Sequence, residues 1–122
     1  MAKIILVEDD PAISEMYQLK FKEAGFNIIV AHDGESGLEL SRQELPDVIL
    51  LDVMMPKMDG FAVLTELKKD PKTQAIPVLL LTNLGQKADR EKGEQLGAVD
   101  YVVKASLTPG QIVEKTKQYL KK

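Results

Sequence analysis

The 122-residue chain contains no cysteine, which excludes disulfides, thiolate zinc sites and cysteine nucleophiles. It has one histidine, His32. With no second imidazole or thiol to join it, His32 reads as a loop or strand-end residue. Long hydrophobic runs are also missing: Ile4 to Val7 is too short for a signal-peptide core or a membrane span, and Glu8, Asp9 and Asp10 follow at once. No repeat, low-complexity tract or linker interrupts the chain, so residues 1–122 read as one domain, soluble and cytoplasmic, with Lys121 and Lys122 as a charged, frayed end. Positive charge is not in excess. A net charge of -3 and a pI near 5.2 argue against general attraction to nucleic acid or anionic lipid, and no direct contact with nucleic acid or membrane is expected. Nor is there a glycine-rich turn after the first apolar run, where a dinucleotide-binding fold would offer backbone amides to phosphate.

What is present is a globular balance of 44% apolar and 29% charged residues, arranged as five apolar runs alternating with helical patterns. That alternation predicts an α/β fold built on a parallel sheet. The strands read as residues 3–7, 27–31, 48–51, 77–81 and 99–103. The first, third and fourth are unbroken aliphatic runs, as expected of strands covered on both faces. The last has Asp100 among apolar neighbours, which suits an edge. A first helix starts at Pro11 with Asp10 as cap and ends before Gly25, its stripe reading as Ile13, Met16, Tyr17, Lys20 and Ala24. The second is capped near Asp33 with Leu38 and Leu45 inward, the third runs from about Gly60 with Phe61, Leu64 and Leu67, and the fifth follows Pro109 with Ile112, Val113, Thr116 and Leu120. The fourth, residues 86–97, offers only Ala88 and Leu96 as apolar side chains, so it is expected to bury little and to be weakly held. Gly25, Gly60 and Gly97 fit helix boundaries, and Met54, Met55 and Met58 read as adaptable packing.

Asp9, Asp52, Thr82 and Lys104 each fall at or just past the C-terminal end of an apolar run. In a parallel sheet those ends share one edge, where open α/β folds place ligands. Two carboxylates about 4 Å apart repel by on the order of 4 kcal/mol at an effective dielectric near 20, so converging Asp9 and Asp52 need a cation or a raised pKa. Direct ligation of an octahedral Mg²⁺ by both answers that need. An aspartate at this edge can attack phosphorus once charge on the transferring group is neutralised, which makes Asp52 a candidate phosphoacceptor. The Thr82 hydroxyl and the Lys104 ammonium can then each meet a phosphoryl oxygen. Taken singly, every one of these residues has a plainer reading: a solvated helix cap for the acidic triplet, a turn residue for Asp52, β-propensity for Thr82 and a solvent-seeking side chain for Lys104.

The segments IILVEDDP, PDVILLDVMMPKMDG, VLLLTN and GAVDYVVK together closely resemble the receiver domain of two-component response regulators, and the resemblance covers essentially the whole chain. It implies a flavodoxin-like, doubly wound five-stranded parallel sheet of order 2-1-3-4-5 with five helices. Carried over by position, it implies Asp52 as phosphoacceptor and Mg²⁺ or Mn²⁺ bound by Asp9, Asp52 and the Met54 backbone carbonyl, with Glu8 acting through water. It further implies Thr82 and Lys104 as the phosphate-sensing pair and Tyr101 as the switch residue, whose ring reads equally as an edge-strand aromatic covering the core. The implied partners are a sensor histidine kinase or phosphotransfer protein upstream, and a downstream target or second copy on the face of helix four, strand five and helix five. The chain would then catalyse only its own phosphorylation and dephosphorylation. Two rivals remain. An aspartate-nucleophile phosphohydrolase of the haloacid-dehalogenase pattern would want a second Asp where Met54 stands, and a phosphorylation-independent module of the same fold is kept alive by Ala105. Most receivers have a cis-proline after the lysine. A cis bond before a non-proline costs roughly 2.5–4 kcal/mol, so a trans Lys104–Ala105 bond is expected and the reach of Lys104 is in question. Asn83 is larger than the usual residue after the threonine and would narrow the pocket. Apolar Met54 and Leu84 flank the expected path of a hydrolytic water and imply a long-lived phosphoryl group.

Overall fold

The computed structural model describes residues 2–55, 58–83 and 87–120. Five strands, β1 (Lys3–Val7), β2 (Asn27–Ala31), β3 (Val48–Asp52), β4 (Val78–Thr82) and β5 (Asp100–Val103), alternate with helices α1 (Pro11–Glu23), α2 (Gly34–Glu44), α3 (Gly60–Lys69), α4 (Lys87–Gln95) and α5 (Pro109–Lys117), with a 3-10 turn at Lys104–Ser106. The sheet is wholly parallel in the order β2-β1-β3-β4-β5, the flavodoxin-like topology. The β3 and β4 ends each run one residue past expectation, taking in Asp52 and Thr82, while Pro77 and Val99 lie outside β4 and β5.

The unbroken aliphatic runs serve two cores, because alternate side chains of a strand leave opposite faces. Ile5, Val7, Ile49, Leu51, Leu80 and Tyr101 meet Leu38 of α2 and Phe61, Leu64 and Leu67 of α3 on one face. Ile4, Leu6, Leu50, Leu79, Leu81 and Val102 meet Tyr17 and Phe21 of α1 and Ile112 and Val113 of α5 on the other. Burying each such aliphatic side chain contributes about 1.5–3 kcal/mol, so β1, β3 and β4 are the fixed frame of the molecule.

Helix starts follow sequence chemistry. Asp10 accepts from the Ala12 and Ile13 amides ahead of Pro11, Asp33 and Asp59 cap α2 and α3, and Thr108 with Gln111 forms a capping box ahead of α5. Two inward faces differ from expectation. In α1 the buried residues are Ser14, Tyr17 and Phe21, while Met16, Lys20 and Ala24 are exposed, so the stripe is rotated by about one residue from the expected one. Leu45 is half exposed and closes α2 in the left-handed conformation (φ 46°) instead of facing the core. Met54 is likewise exposed, whereas Met55 and Met58 pack against the core. Leu120 lies beyond α5 and is half-buried. In α4 only Gly93 is buried, as its polar composition led one to expect. Gln86, Leu84, Lys121 and Lys122 lie outside the described residues. No described helix is long and apolar enough to cross a membrane.

Candidate phosphoacceptor and metal site

The chain reverses its direction of winding across the sheet between β1 and β3, and the C-terminal ends of these strands bound the acidic site. Glu8 extends the β1 ladder by one bond, its amide donating to the Ala31 carbonyl at 2.9 Å. This turns the Glu8 side chain inward, where it is 1% exposed. Asp9 is exposed, and Asp10 is taken up by the α1 cap. Asp52 ends β3, 3% exposed, and Gly60 presses on its backbone: a Cβ at Gly60 would stand 2.4 Å from the Asp52 carbonyl oxygen. That approach fixes where α3 begins.

Lys104 enters from the far side of β4. Its ammonium donates to Glu8 Oε1 at 2.7 Å and lies 3.3 Å from Asp52 Oδ2, with its side chain 8% exposed. No cis peptide bond occurs among the described residues, so the expected trans Lys104–Ala105 bond is found, and the lysine reaches the site with Ala105 after it. Asn83 is exposed at the rim. Thr82 is buried at the end of β4, which is hydrogen-bonded to β3, with Asp52 level with Leu81 in the ladder. The Met54 amide points back at Asp52 Oδ1, at 3.4 Å.

Electrostatics in this pocket oppose each other. Burial, then the negative charge of Glu8, pushes the Asp52 carboxyl from 3.8 up to about 7, with Lys104 pulling the other way. Burial alone would push the Lys104 ammonium down, but its hydrogen bond to Glu8 and the charges of Asp52 and Glu8 outweigh that and hold it above its ordinary value. Glu8, Asp9 and Asp52 each bring one carboxylate oxygen within 4.8 Å of the others. Three hard oxygen donors at this spacing suit Mg²⁺ or Mn²⁺, and the site gathers three carboxyl groups around a single ammonium.

The sequence-predicted residues Glu8, Asp9, Asp52 and Lys104 are therefore brought together, and Thr82 ends the adjacent strand. Tyr101 points the other way, 3% exposed in the core beside α3 and α4. Sequence reasoning missed three features. Glu8 pairs directly with Lys104, Gly60 is wedged against Asp52 and not merely placed at a helix boundary, and Arg90 of α4 stands 5.4 Å from the centre of the Tyr101 ring. The length of Glu8, one methylene more than aspartate, was the available signal for the first.

Comparison with known proteins bears on the family and the fold. Residues 4–117 match the response regulator receiver domain family. Protein PilH of Pseudomonas aeruginosa is 42% identical over 106 residues, covering 85% of this chain and 86% of that protein. Chemotaxis protein CheY4 of Vibrio cholerae superposes with a TM-score of 0.92 at 28% identity, covering 98% and 99% of the two chains. The Mn(2+)-bound form of response regulator Rcp1 superposes at 0.84 with 29% identity, covering 97% of this chain and 93% of that one. The chain spans only 39% to 43% of the length of other curated relatives, which are named as transcriptional regulators. A receiver with five parallel strands in the order 2-1-3-4-5 is thus what this sequence builds, and the chain belongs to the response regulator receiver family.

Proposed function

We propose that residues 1–122 form one receiver domain that takes a phosphoryl group onto Asp52 from a sensor histidine kinase or phosphotransfer protein. The observation that carries this reading is the meeting of Glu8, Asp9, Asp52 and Lys104 from three separate strand ends, with Glu8 and Asp52 buried. An Asp52 carboxylate oxygen attacks phosphorus, the phosphorus–nitrogen bond of the donor phosphohistidine breaks, and the departing imidazole keeps the electron pair and takes up a proton. Asp9, Asp52 and the Met54 carbonyl would hold Mg²⁺ or Mn²⁺, with Glu8 joining through water; Rcp1, which is described as Mn(2+)-bound, supports a divalent ion in this fold. When bound, the cation supplies charge neutralisation for the incoming phosphoryl oxygens. Lys104 meets one of those oxygens and Thr82 another.

Phosphorylation replaces the Asp52 carboxyl group with an acyl phosphate carrying about two negative charges and adds acceptor oxygens. Thr82 turns toward them, and Tyr101 follows as the switch residue. The output face is α4, β5 and α5, where a cleft of about 230 Å³ is bordered by Arg90, Tyr101, Ser106, Leu107 and Lys115. It serves a downstream protein or a second copy of the chain. The domain works in the cytoplasm and acts on no substrate other than its own acyl phosphate.

Incubation with acetyl phosphate and Mg²⁺ tests this. One added phosphoryl mass on the wild type, and none on Asp52→Asn, is expected. Continuous turnover of donor would favour a phosphohydrolase, and no reaction would leave a phosphorylation-independent interaction module.

A further inference from the structure

Gly34 is the first residue of α2 and is buried. A Cβ there would overlap the Met58 carbonyl oxygen and stand 2.9 Å from Met58 Cβ, so the start of α2 rests directly on backbone that follows β3. Nothing else at this position calls for glycine. Its φ lies outside the left-handed region, and alanine is the better helix former. The same short turn also grips the loop that follows β1. The Ala31 carbonyl accepts from the Glu8 amide at 2.9 Å, and His32 Nδ1 lies 3.2 Å from the Glu8 carbonyl, to which it can only donate. The Glu8 backbone is thus held on both sides from the end of β2. Asp33 fixes where α2 begins by accepting from the Ser36 amide at 2.8 Å.

We infer that residues 31–34 are a buttress that sets the spacing between the two loops of the acidic site, with Gly34 as a positioning residue for the backbone that carries Met54. The inference rests on the receiver reading above, in which Asp9, Asp52 and the Met54 carbonyl hold a divalent cation. The connection after β3 is closed on itself, the Gly60 amide donating to the Val53 carbonyl at 2.9 Å, and Gly60 is wedged against the Asp52 carbonyl. A methyl group on residue 34 pushes Met58 from its place, and a loop this short, tied at both ends, passes the displacement to Met54. A cation that demands near-ideal octahedral geometry tolerates little of it. Groups that orient metal ligands from behind typically govern affinity by about 10–100-fold.

Titration of the full chain with Mn²⁺ alone, followed by the EPR signal of the free ion, tests this. Gly34→Ala is expected to bind Mn²⁺ about tenfold more weakly than the wild type. Gly25→Ala, strained by a φ of 92° just ahead of β2 at the opposite edge of the sheet, should lower the melting temperature and keep the wild-type affinity. The rate with acetyl phosphate gives a second readout: the deficit of Gly34→Ala should close as Mn²⁺ is raised to saturation, because the substitution acts through the metal. Wild-type affinity in folded Gly34→Ala overturns the buttress, as does equal weakening in Gly25→Ala or a rate deficit that saturating Mn²⁺ leaves unchanged. If Gly34→Ala does not fold, His32→Leu decides, since His32 is exposed and its replacement spares the core. That variant must weaken Mn²⁺ binding severalfold at an unchanged melting temperature, and wild-type affinity in it overturns the buttress. A wild type that binds no Mn²⁺ sinks the metal assignment of the receiver reading, and the buttress with it.

Discussion

Replacing Asp52 by Asn should stabilise the metal-free protein, and the size of the gain is set by the charge conflict at the site. The Asp52 side chain is 5% exposed, and burial followed by Glu8 raises its carboxyl from 3.8 to about 7. A carboxyl raised on folding favours the folded state fully below its unfolded pKa, and that advantage is lost as the pH rises through the folded value. A shift of about 3 units at 1.36 kcal/mol each sets a ceiling of about 4 kcal/mol on the cost of ionised Asp52. About 2 kcal/mol of it falls between about pH 5.5 and about pH 8. Urea unfolding in EDTA at both pH values measures this directly. The wild type should lose about 2 kcal/mol on going to the higher pH, while Asp52→Asn should lack that loss and exceed the wild type there by about 2–4 kcal/mol. Adding Mg²⁺ should close the gap by stabilising only the wild type. Equal stability of the two proteins at the higher pH without metal, or a wild type indifferent to pH over this window, would refute the reasoning.

Other perturbations follow from the same geometry. Lys104→Met strands the buried Glu8 and Asp52 carboxylates and should cost about 3 kcal/mol in urea unfolding, partly restored by Mg²⁺; an undiminished stability in EDTA would contradict the pairing. Gly60→Ala drives a methyl to 2.4 Å from the Asp52 carbonyl and 2.8 Å from Val53 Cα, both backbone, so a loss of about 2–3 kcal/mol and a slower reaction with acetyl phosphate are expected; an unchanged melting temperature would show that α3 yields freely. Tyr119→Phe removes the hydroxyl that donates to Asp100 Oδ2 at 2.7 Å. Burial alone would raise the Asp100 carboxyl, but Tyr119, the Tyr101 amide and Lys115 hold it below its ordinary value, a contribution present above 3.8 and lost as the pH falls. The variant should therefore be about 1 kcal/mol less stable near pH 7, with the gap shrinking as the pH falls below the ordinary carboxyl value of 3.8, and a gap independent of pH would count against it. Met54 is exposed beside Asp52, so Met54→Asn should speed loss of the phosphoryl group through an oriented water; unchanged or slower decay, followed by mass spectrometry, argues otherwise.

The frame was legible because its signals are local. Unbroken aliphatic runs such as Val48 to Leu51 can only be buried on both faces, and Asp10–Pro11 marks a helix start by its own hydrogen-bonding chemistry. The strand-end carboxylates were legible because parallel topology gathers such ends on one edge. What failed was whatever depends on how an element is rolled or spaced against its neighbours. Of the α1 stripe Ile13, Met16, Tyr17, Lys20 and Ala24, Tyr17 is buried and Ile13 packs on the core, but Met16, Lys20 and Ala24 are exposed and the face runs through Ser14 and Phe21 in their place; a small polar residue inside and a methionine outside defeat a reading by apolarity alone. Leu45 reads as core by type but caps α2 in a left-handed turn. The Glu8–Lys104 pair spans 96 positions, and no spacing rule reaches across that distance.

The most direct check on the account is the position of the acyl phosphate. Treating the wild type with acetyl phosphate and Mg²⁺, trapping the product with borohydride, and sequencing the peptides by mass spectrometry locates the phosphorylated residue. Reduction confined to residue 52, dependent on the metal and diminished in Lys104→Met, is the predicted result. Modification of Asp9 or Glu8 in its place, or labelling of Asp52 that ignores both metal and lysine, would contradict it.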